Sequence, residues 1–175
     1  MALHRDTIKK VFRDRHELAR PYVSKIVVNI GVGRMSQQSH FEEKILPEVI
    51  QGISAITGQR PAIVRTRKSI AGFKLRAGQI VGVKATLRHQ RMRDFLERLI
   101  HVALPRVRDF RGIDPRGADE GGNLSIGMRD ISVFPEINAE TAKVDFGLEV
   151  SIVSTARNRD EAIALYKALG MQFKR

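Results

Sequence analysis

The residues best suited to chemistry in this chain are cations, and they are concentrated in one stretch. RTRKSIAGFKLRAG, residues 65–78, contains five lysines and arginines, two glycines, one phenylalanine and no acid. Like charges repel one another and weaken a compact fold, so such a cluster indicates a densely negative partner. The pattern extends further, because residues 49–93 hold ten lysines and arginines and no acid, in a chain of net charge +12. Since the remaining residues are near charge balance, the predicted partner is a nucleic acid.

Other combinations of reactive residues do not form a recognisable active site. Gly31 and Gly33 follow a predicted strand, as in a phosphate-binding loop, but Ser36 stands where the third glycine of that motif is needed. The acids of DPRGADEGGN, residues 114–123, lack the spacing of a calcium loop and predict a flexible loop. The five histidines lack metal-ligand spacing, there is no cysteine, and no nucleophile, base and orienting group occur as a set. We therefore expect a protein that is not an enzyme and has no cofactor, metal or small-molecule substrate.

Five segments rich in β-branched residues predict the strands that position the cations. They are KIVVNIGVG from Lys25, PAIVR from Pro61, IVGVKATLR from Ile80, NLSIGMR from Asn123 and KVDFGLEVSIV from Lys143. All but the short PAIVR alternate between apolar and polar side chains, which gives each of these strands one apolar face and one polar, solvent-exposed face. This alternation is typical of an antiparallel sheet that is covered on one side only. The predicted fold class is α+β, an antiparallel sheet with helices packed on one face and an open polar and basic face.

Four helices are predicted from apolar spacing and from capping patterns. The first has its apolar positions at Ile8, Val11, Phe12, Leu18 and Ala19. The second opens at a capping box, SHFE at residues 39–42, is kinked or started by Pro47, and ends at Gly58. The third carries an apolar stripe from Met92 to Ala103, and the last runs from the capping box NRDE at residues 158–161 to Gly170.

The chain has no repeat, linker or low-complexity tract, so one RNA-binding domain is predicted over residues 1–175. Residues 1–24 form its helical lead-in, and residues 69–82 contain a loop. The first twenty residues are too charged for a signal peptide, and no run approaches the ~18 apolar residues of a membrane helix. We therefore expect a soluble, cytoplasmic protein without a membrane partner.

The open sheet face is the candidate binding surface. Lys84 and Arg88 can reach phosphates, while Asn29 and Thr86 can hydrogen-bond to phosphate, a 2′-hydroxyl or a base edge, and no acid lies near them in the sequence. An ordinary polar sheet surface is the simpler alternative. A single-strand binder would display stacking rings, yet there is no tryptophan and only two tyrosines. No strongly basic recognition helix for duplex DNA is present either, so a folded RNA is favoured.

Several of these segments together resemble the ribosomal protein L5 family of the bacterial large subunit. The resemblance runs from about Lys25 to the C-terminus, on KIVVNIGVG, ITGQRPAIVRTRKSIAGFKLRAGQIVGVKATLR, RMRDFLERLIHVALPRVRDFRGI, FPEI and EAIALYKALGMQF. It implies an antiparallel sheet with helices on one side, in agreement with the alternation. It also implies contacts of the open face and adjoining turns with the 5S ribosomal RNA of the central protuberance. The implied rRNA-binding residues are Asn29, Gln59, Arg65, Lys68, Lys84, Thr86 and Arg88.

The same resemblance implies a role for the loop that contains the opening stretch. In the family, the loop matching residues 69–82 reaches toward the tRNA in the peptidyl site. The candidate tRNA-contacting residues here are Ser69, Gly72, Phe73, Lys74, Arg76 and Gly78. Phe73 could instead fold back as an anchor for a loop that is otherwise expected to be irregular. Further implied partners are 23S rRNA, other large-subunit proteins of the central protuberance and a protein of the small-subunit head, with no bridge residues assigned.

Two departures from the family pattern and two alternatives remain open. The segment before KIVVNIGVG is shorter and more charged than the usual lead-in, and DEGGN at residues 119–123 replaces the more common DGRGN. A free-standing nucleic-acid-binding protein or RNA chaperone would use the same basic face. A phosphate-handling enzyme built around Gly31 and Gly33 is the alternative from another functional class.

Overall fold

One antiparallel sheet organises the chain. The computed structural model describes residues 2–73, 75–137, 144 and 146–174. Within them the strands are β1 (Val23–Gly31), β2 (Ala62–Arg65), β3 (Ile80–Leu87), β4 (Leu124–Met128) and β5 (Leu148–Ser154). Their order in the sheet is β2-β3-β1-β5-β4, and all neighbours are antiparallel. The predicted α+β fold class is confirmed.

Helices cover the apolar face of this sheet. They are α1 (Ala2–Val11), α2 (Leu46–Thr57), α3 (His89–Arg98), the single turn α4 (Leu104–Arg106) and α5 (Arg159–Ala168). Helix α2 packs against β3, α3 against β1, and α1 against α5. The alternating residues Ile26, Val28 and Ile30 of β1 are buried under the helices, as are Val83 and Leu87 of β3. Each fully buried aliphatic side chain of this kind stabilises the fold by about 1.5–3 kcal/mol.

Prolines give two of the helices an unusual turn. A wide π turn, Phe41–Ile45, precedes α2, and another, Leu99–Ala103, joins α3 to α4. The first is closed by the Leu46 N–H donating to the Phe41 carbonyl, and the residue after Leu46 is Pro47. Because a proline ring cannot donate and collides with the carbonyl four residues earlier, a widened turn relieves both problems. The capping box expected at residues 39–42 is wrong, because the residue that precedes the π turn is His40, which has φ +60° and makes no side-chain cap.

The N-terminal expectation also needs correction. Helix α1 stops at Val11, and Leu18 lies in a separate short turn, Glu17–Ala19, where it is 89% exposed. Only Ile8 and Phe12 of the predicted apolar stripe pack against the core, since the chain turns after the helix. The segment is held to the domain by an ion pair between Arg15 and the buried carboxylate of Glu161.

The predicted start of the last helix is correct, whereas that of the last strand is not. Strand β5 begins at Leu148, not at Lys143, which lies outside the described residues. Helix α5 begins as predicted, with the Asn158 side chain accepting the Glu161 N–H at 2.9 Å.

The predicted flexible loop at residues 114–123 is instead a hydrogen-bonded turn. The Asp119 carboxylate accepts the Asn123 backbone N–H at 2.7 Å and its side-chain amide at 2.8 Å. The Asn123 side chain is the main reason that the pKa of Asp119 lies below its usual value of 3.8. The Gly122 carbonyl accepts hydrogen bonds from Ser154 Oγ at 2.7 Å and from the buried Tyr166 hydroxyl at 2.8 Å. These contacts assign the turn a structural role.

Candidate nucleic-acid interface

The strand register brings four of the predicted rRNA-binding residues together on the open face. Asn29 in β1 lies directly opposite Lys84 in β3, and the next open-face pair is Val27 with Thr86. Arg88 follows two residues after Thr86 with an extended backbone, so its side chain lies on the same face of the sheet as that of Thr86. Side chains directly opposite one another in an antiparallel pair lie about 4.5–5.5 Å apart at Cβ. Asn29, Lys84, Thr86 and Arg88 therefore form one polar surface, which we call the open-face cluster.

Gln59 joins this surface from the end of a helix. Gly58 ends α2 in the left-handed conformation, with φ +67°, and turns the chain toward the sheet. The Gln59 side-chain amide then donates to the Thr86 carbonyl at 3.4 Å. Thr57, buried beneath, holds this turn because its hydroxyl donates to the Ile53 carbonyl at 2.7 Å and accepts the Gln59 N–H at 3.3 Å. The structure thus places Gln59 beside Thr86, at the border of the open-face cluster.

The open-face side chains have no partners inside the described part of the protein. Among the described residues, the side chains of Asn29, Lys84, Thr86 and Arg88 make no hydrogen bond or ion pair. Lys84 and Arg88 are exposed, whereas Asn29 and Thr86 are half-buried between their strand neighbours. Polar groups held by a rigid sheet and left without internal partners can all be used by a ligand.

The open face also carries an acid, Glu149, which is distant from the cluster in the sequence but adjacent to it in the sheet. Glu149 in β5 is directly opposite Asn29, on the side away from Lys84. Strand alternation already places Glu149 on a polar face, but alternation alone does not reveal which strand β5 pairs with. The positive charge of the open face is therefore concentrated on the β3 side, and the β5 side carries a carboxylate.

The predicted protruding loop is an ordered hairpin rather than an irregular segment. At its base, the Thr66 N–H donates to the Gln79 carbonyl at 2.9 Å and the Gly78 N–H to the Thr66 carbonyl at 3.0 Å. At its tip, Ile70 and Leu75 exchange backbone hydrogen bonds of 2.9 and 3.1 Å around a tight turn, Ala71–Phe73. Gly78 has φ +82°, a conformation that side-chain-bearing residues rarely adopt. Residues 66–79 are called the hairpin below.

The hairpin is joined to the body of the protein through Gln79. Its side-chain carbonyl accepts the Arg76 N–H at 3.1 Å, and its amide donates to Ser36 Oγ at 2.9 Å. Ser36 Oγ in turn donates to the Gly33 carbonyl at 2.9 Å, just after β1. This chain of bonds fixes the hairpin relative to the strand that carries Asn29.

The tip presents an aromatic ring to solvent. Phe73 is 72% exposed and Ile70 is 48% exposed, so the alternative in which Phe73 folds back as an anchor is wrong. Ser69 and Arg76 are also exposed, and Ser69 Oγ accepts the Ala77 N–H at 3.0 Å. Gly72 lies within the tip turn. Lys74 lies outside the described residues.

Two predicted rRNA-binding residues are separate from the open-face cluster. Arg65 ends β2 and donates from its guanidinium to the Gly78 carbonyl at 3.0 Å, which places it at the base of the hairpin. Lys68 is exposed within the hairpin itself. The structure therefore groups both cations with the hairpin.

Features typical of other functional classes are sparse in the described part of the chain. Within the described ranges, no group of three or more His, Asp or Glu could hold a metal ion. No described helix is long and apolar enough to cross a membrane. A cavity of about 780 Å³ lies beside β4, away from the open-face cluster and lined largely by apolar side chains. Its carboxylates, Asp114 and Asp130, accept hydrogen bonds from their own turns, at Arg116 and Ser132, and form no acid–base pair.

Comparison with known proteins identifies what the chain resembles over nearly its whole length. A family model described as Ribosomal protein L5 matches residues 16–76, and one described as the C-terminus of the same ribosomal family matches residues 80–173. The large ribosomal subunit protein uL5 of Syntrophomonas wolfei is 50% identical over 154 residues, 88% of this chain and 84% of that protein. That of Symbiobacterium thermophilum is 46% identical over 166 residues, 95% of this chain and 90% of that protein. That of a Synechococcus strain is 50% identical over 153 residues, 87% of this chain and 83% of that protein.

Proposed function

The chain belongs to the uL5 family of bacterial large-subunit ribosomal proteins, which are structural and not catalytic, and on that premise we propose that its open sheet face binds 5S rRNA. As a member of this family it is associated with the ribosome and binds ribosomal RNA. The cytoplasm is the compartment proposed for it.

One observation carries the assignment to the open face. The open-face cluster displays an amide, a hydroxyl and two cations on a rigid sheet, and within the described part of the chain these side chains are free of internal partners. Cations neutralise phosphates, while the hydroxyl and amide can hydrogen-bond to 2′-hydroxyls, which a folded RNA displays along its shallow minor groove. The open-face cluster itself contains no ring, so it suits recognition of RNA shape rather than stacking of single-stranded bases.

The hairpin supports a second proposed contact, with tRNA in the peptidyl site. It is held to the body through Gln79 and Ser36, and it carries the exposed ring of Phe73 among cations that include Arg76. A preformed, basic projection with an exposed ring can meet an RNA backbone and ribose without first becoming ordered. Contacts with 23S rRNA, with neighbouring proteins of the central protuberance and with a small-subunit head protein complete the proposal, without assigned residues.

A photo-crosslink tests the assignment of the open face. A photoreactive amino acid replacing Val27 lies between Thr86 and Ser151 in the open face. In assembled large subunits we expect it to crosslink to 5S rRNA. The matched control replaces Ala55, which is exposed on helix α2, on the covered side of the sheet. Crosslinks to 5S rRNA from position 55 and none from position 27 would overturn the assignment.

A further inference from the structure

A shallow hollow of about 440 Å³ lies in the open face beside Asn29. Its floor contains three glycines, and three polar residues border it. These residues are Gly31, Gly127, Gly147, Asn29, Glu149 and Arg129. The register explains the arrangement, because Asn29 is opposite Glu149 and Glu149 is opposite Gly127. Its volume lies within the range of roughly 300–1,000 Å³ that small ligands occupy in proteins.

At two of these glycines, neither the backbone conformation nor the described neighbouring atoms would exclude a larger residue. Gly31 and Gly127 both lie in strands and have no positive φ. A Cβ atom built on either would meet no atom of the described residues within 4 Å. Glycine inside a strand weakens it and often marks close approach of a ligand. Gly147 differs, since its Cβ would lie 3.0 Å from the Met128 carbonyl. The space above Gly31 and Gly127 is therefore available to a molecule from outside.

Glu149 indicates what kind of group enters this space. Its side chain is exposed and, within the described residues, makes no hydrogen bond or ion pair. An ionised carboxylate accepts hydrogen bonds and donates none, and it repels phosphates. On a face that binds RNA, such a group weakens binding unless it meets a donor. The donors that an RNA offers there are 2′-hydroxyls and the N–H groups of its bases.

Guanine fits the groups around the hollow better than the other bases. Its Watson–Crick edge carries two adjacent donors, N1–H and the N2 amino group, which match the two oxygens of a carboxylate. The same edge carries O6, an acceptor that the Asn29 amide can satisfy from the adjacent strand. Adenine, cytosine and uracil each offer only one donor position on that edge. Arg129, exposed at the rim, is suited to the phosphate of the same nucleotide.

We infer that the hollow receives one unstacked guanine of the bound 5S rRNA, read by Glu149 and Asn29. This inference rests on the proposed function and deepens it, because it adds a base-specific contact to a face otherwise assigned to the RNA backbone and shape. Unstacked bases of folded RNAs are recognised in this way, through hydrogen bonds to their edges.

The test measures the affinity of purified protein variants for 5S rRNA. Glu149→Gln removes the negative charge and replaces one acceptor by a donor at nearly constant size. We expect about tenfold weaker binding, as for loss of a good bidentate base contact. A carboxylate that merely repels phosphates gives the opposite result, tighter binding, and would overturn the inference, as would unchanged affinity.

A second variant fills the hollow. Gly127→Val adds a side chain whose Cβ meets no described atom within 4 Å, and valine favours strands, so we expect a folded protein with at least about tenfold weaker binding. The matched control is Ala55→Val, which enlarges an exposed residue of helix α2 on the covered side of the sheet and should leave affinity unchanged. Equal effects of the two valines would count against the hollow.

Base identity is tested with inosine, which lacks the N2 amino group of guanine. In 5S rRNA carrying inosine at single guanine positions, one position should weaken binding of the parent protein and have little further effect on Glu149→Gln. The absence of such a position would overturn the inference. These results are distinguishable from failure of the proposed function, in which the parent protein itself would not bind 5S rRNA selectively.

Discussion

At the scale of single residues, Thr86 and Arg88 offer two different kinds of contact to the proposed RNA ligand. Both belong to the open-face cluster, but Thr86 offers a half-buried hydroxyl and Arg88 an exposed charge. A hydrogen bond lost inside an interface leaves its partner desolvated and unpaired, whereas a lost phosphate contact mainly reduces counterion release. The two effects can be separated by the dependence of affinity on salt.

Thr86→Val keeps the shape of the side chain and removes its hydroxyl. We expect the binding free energy for 5S rRNA to become less favourable by about 1–3 kcal/mol, with an unchanged slope of log affinity against log salt. Arg88→Ala should instead make that slope shallower by about one unit. Filter binding or fluorescence anisotropy at several salt concentrations measures both quantities. Parent-like binding by Thr86→Val, together with weak binding by Arg88→Ala, would mean that the face acts through charge alone.

Tyr166 makes a residue-level prediction about stability. Burial raises the pKa of its hydroxyl to about 12, from an ordinary value of 10.0. A folded-state pKa above the unfolded value means that the neutral form stabilises the fold fully below about pH 10, and that this contribution is lost as the pH rises toward about 12. Tyr166→Phe also removes the hydrogen bonds to the Gly122 and Ile152 carbonyls. It should lower the free energy of unfolding by about 1–2 kcal/mol at neutral pH.

Urea unfolding at several pH values measures this effect. The stability difference between parent and Tyr166→Phe should shrink between about pH 10 and 12, because in this range the phenol of the unfolded parent ionises while the folded phenol stays neutral, which favours unfolding of the parent only. Ile152→Val, at a fully buried residue without a titrating group, provides the control: its stability difference from the parent should not change in this way with pH. A difference between parent and Tyr166→Phe that stayed constant over this range would contradict the role given to the hydroxyl.

At the scale of elements, the strands were predictable and the turns were less so. Strand alternation in Ile80–Leu87 reflects burial on one face, and burial follows directly from side-chain type. The widened turns before Pro47 and Pro105 depend on how a helix accommodates a proline, which spacing alone does not specify. The hairpin looked irregular because its order comes from backbone hydrogen bonds, such as those between Ile70 and Leu75, which the side-chain pattern does not specify. Its link to the body joins Gln79 to Ser36, 43 residues away.

In the candidate site, too, the face on which a residue lies was predictable from the sequence, whereas its neighbours were not. Asn29 and Thr86 could be placed on polar faces from alternation, but their adjacency depends on strand pairing between distant segments. Glu149 was assigned a polar face for the same reason, and only the register shows that it lies across from Asn29. Arg65 was expected beside the open face, yet its guanidinium lies at the base of the hairpin.

The division between open face and hairpin leads to a prediction for the hairpin. Lys74→Ala with Arg76→Ala should leave the fold and 5S rRNA binding nearly intact, because Arg76 is exposed on the hairpin and not part of the open-face cluster. Ribosomes carrying both changes should release peptidyl-site tRNA faster. The loss should not exceed about 1 kcal/mol for each exposed phosphate contact.

Dissociation of tRNA from purified ribosomes measures this prediction, with reading-frame maintenance as a second readout. A suitable control is Arg116→Ala, which removes an arginine in the distant 115–117 turn. Unchanged tRNA release combined with a collapse of 5S rRNA binding would assign the hairpin to the 5S interface instead.

At the scale of the whole molecule, the charge distribution and the fold describe the same organisation. The acid-free residues 49–93 comprise β2, the hairpin and β3, together with most of α2 and the first half of α3. Folding therefore gathers most of the excess charge at one side of the sheet, next to the open-face cluster. Such a field attracts any polyanion, so selectivity depends on how well the RNA shape matches the sheet and its hydrogen-bonding groups.

The most direct test of the central claim compares the affinity of the parent protein for 5S rRNA and for a random duplex DNA of equal length. If about six phosphates are neutralised, affinity for 5S rRNA should fall by roughly 10³–10⁵ between 50 and 200 mM salt. At each salt concentration 5S rRNA should remain the preferred ligand, because duplex DNA lacks 2′-hydroxyls and the required shape. Equal affinity for both ligands, or an affinity for 5S rRNA that does not change with salt, would contradict the account and favour a general nucleic-acid-binding protein.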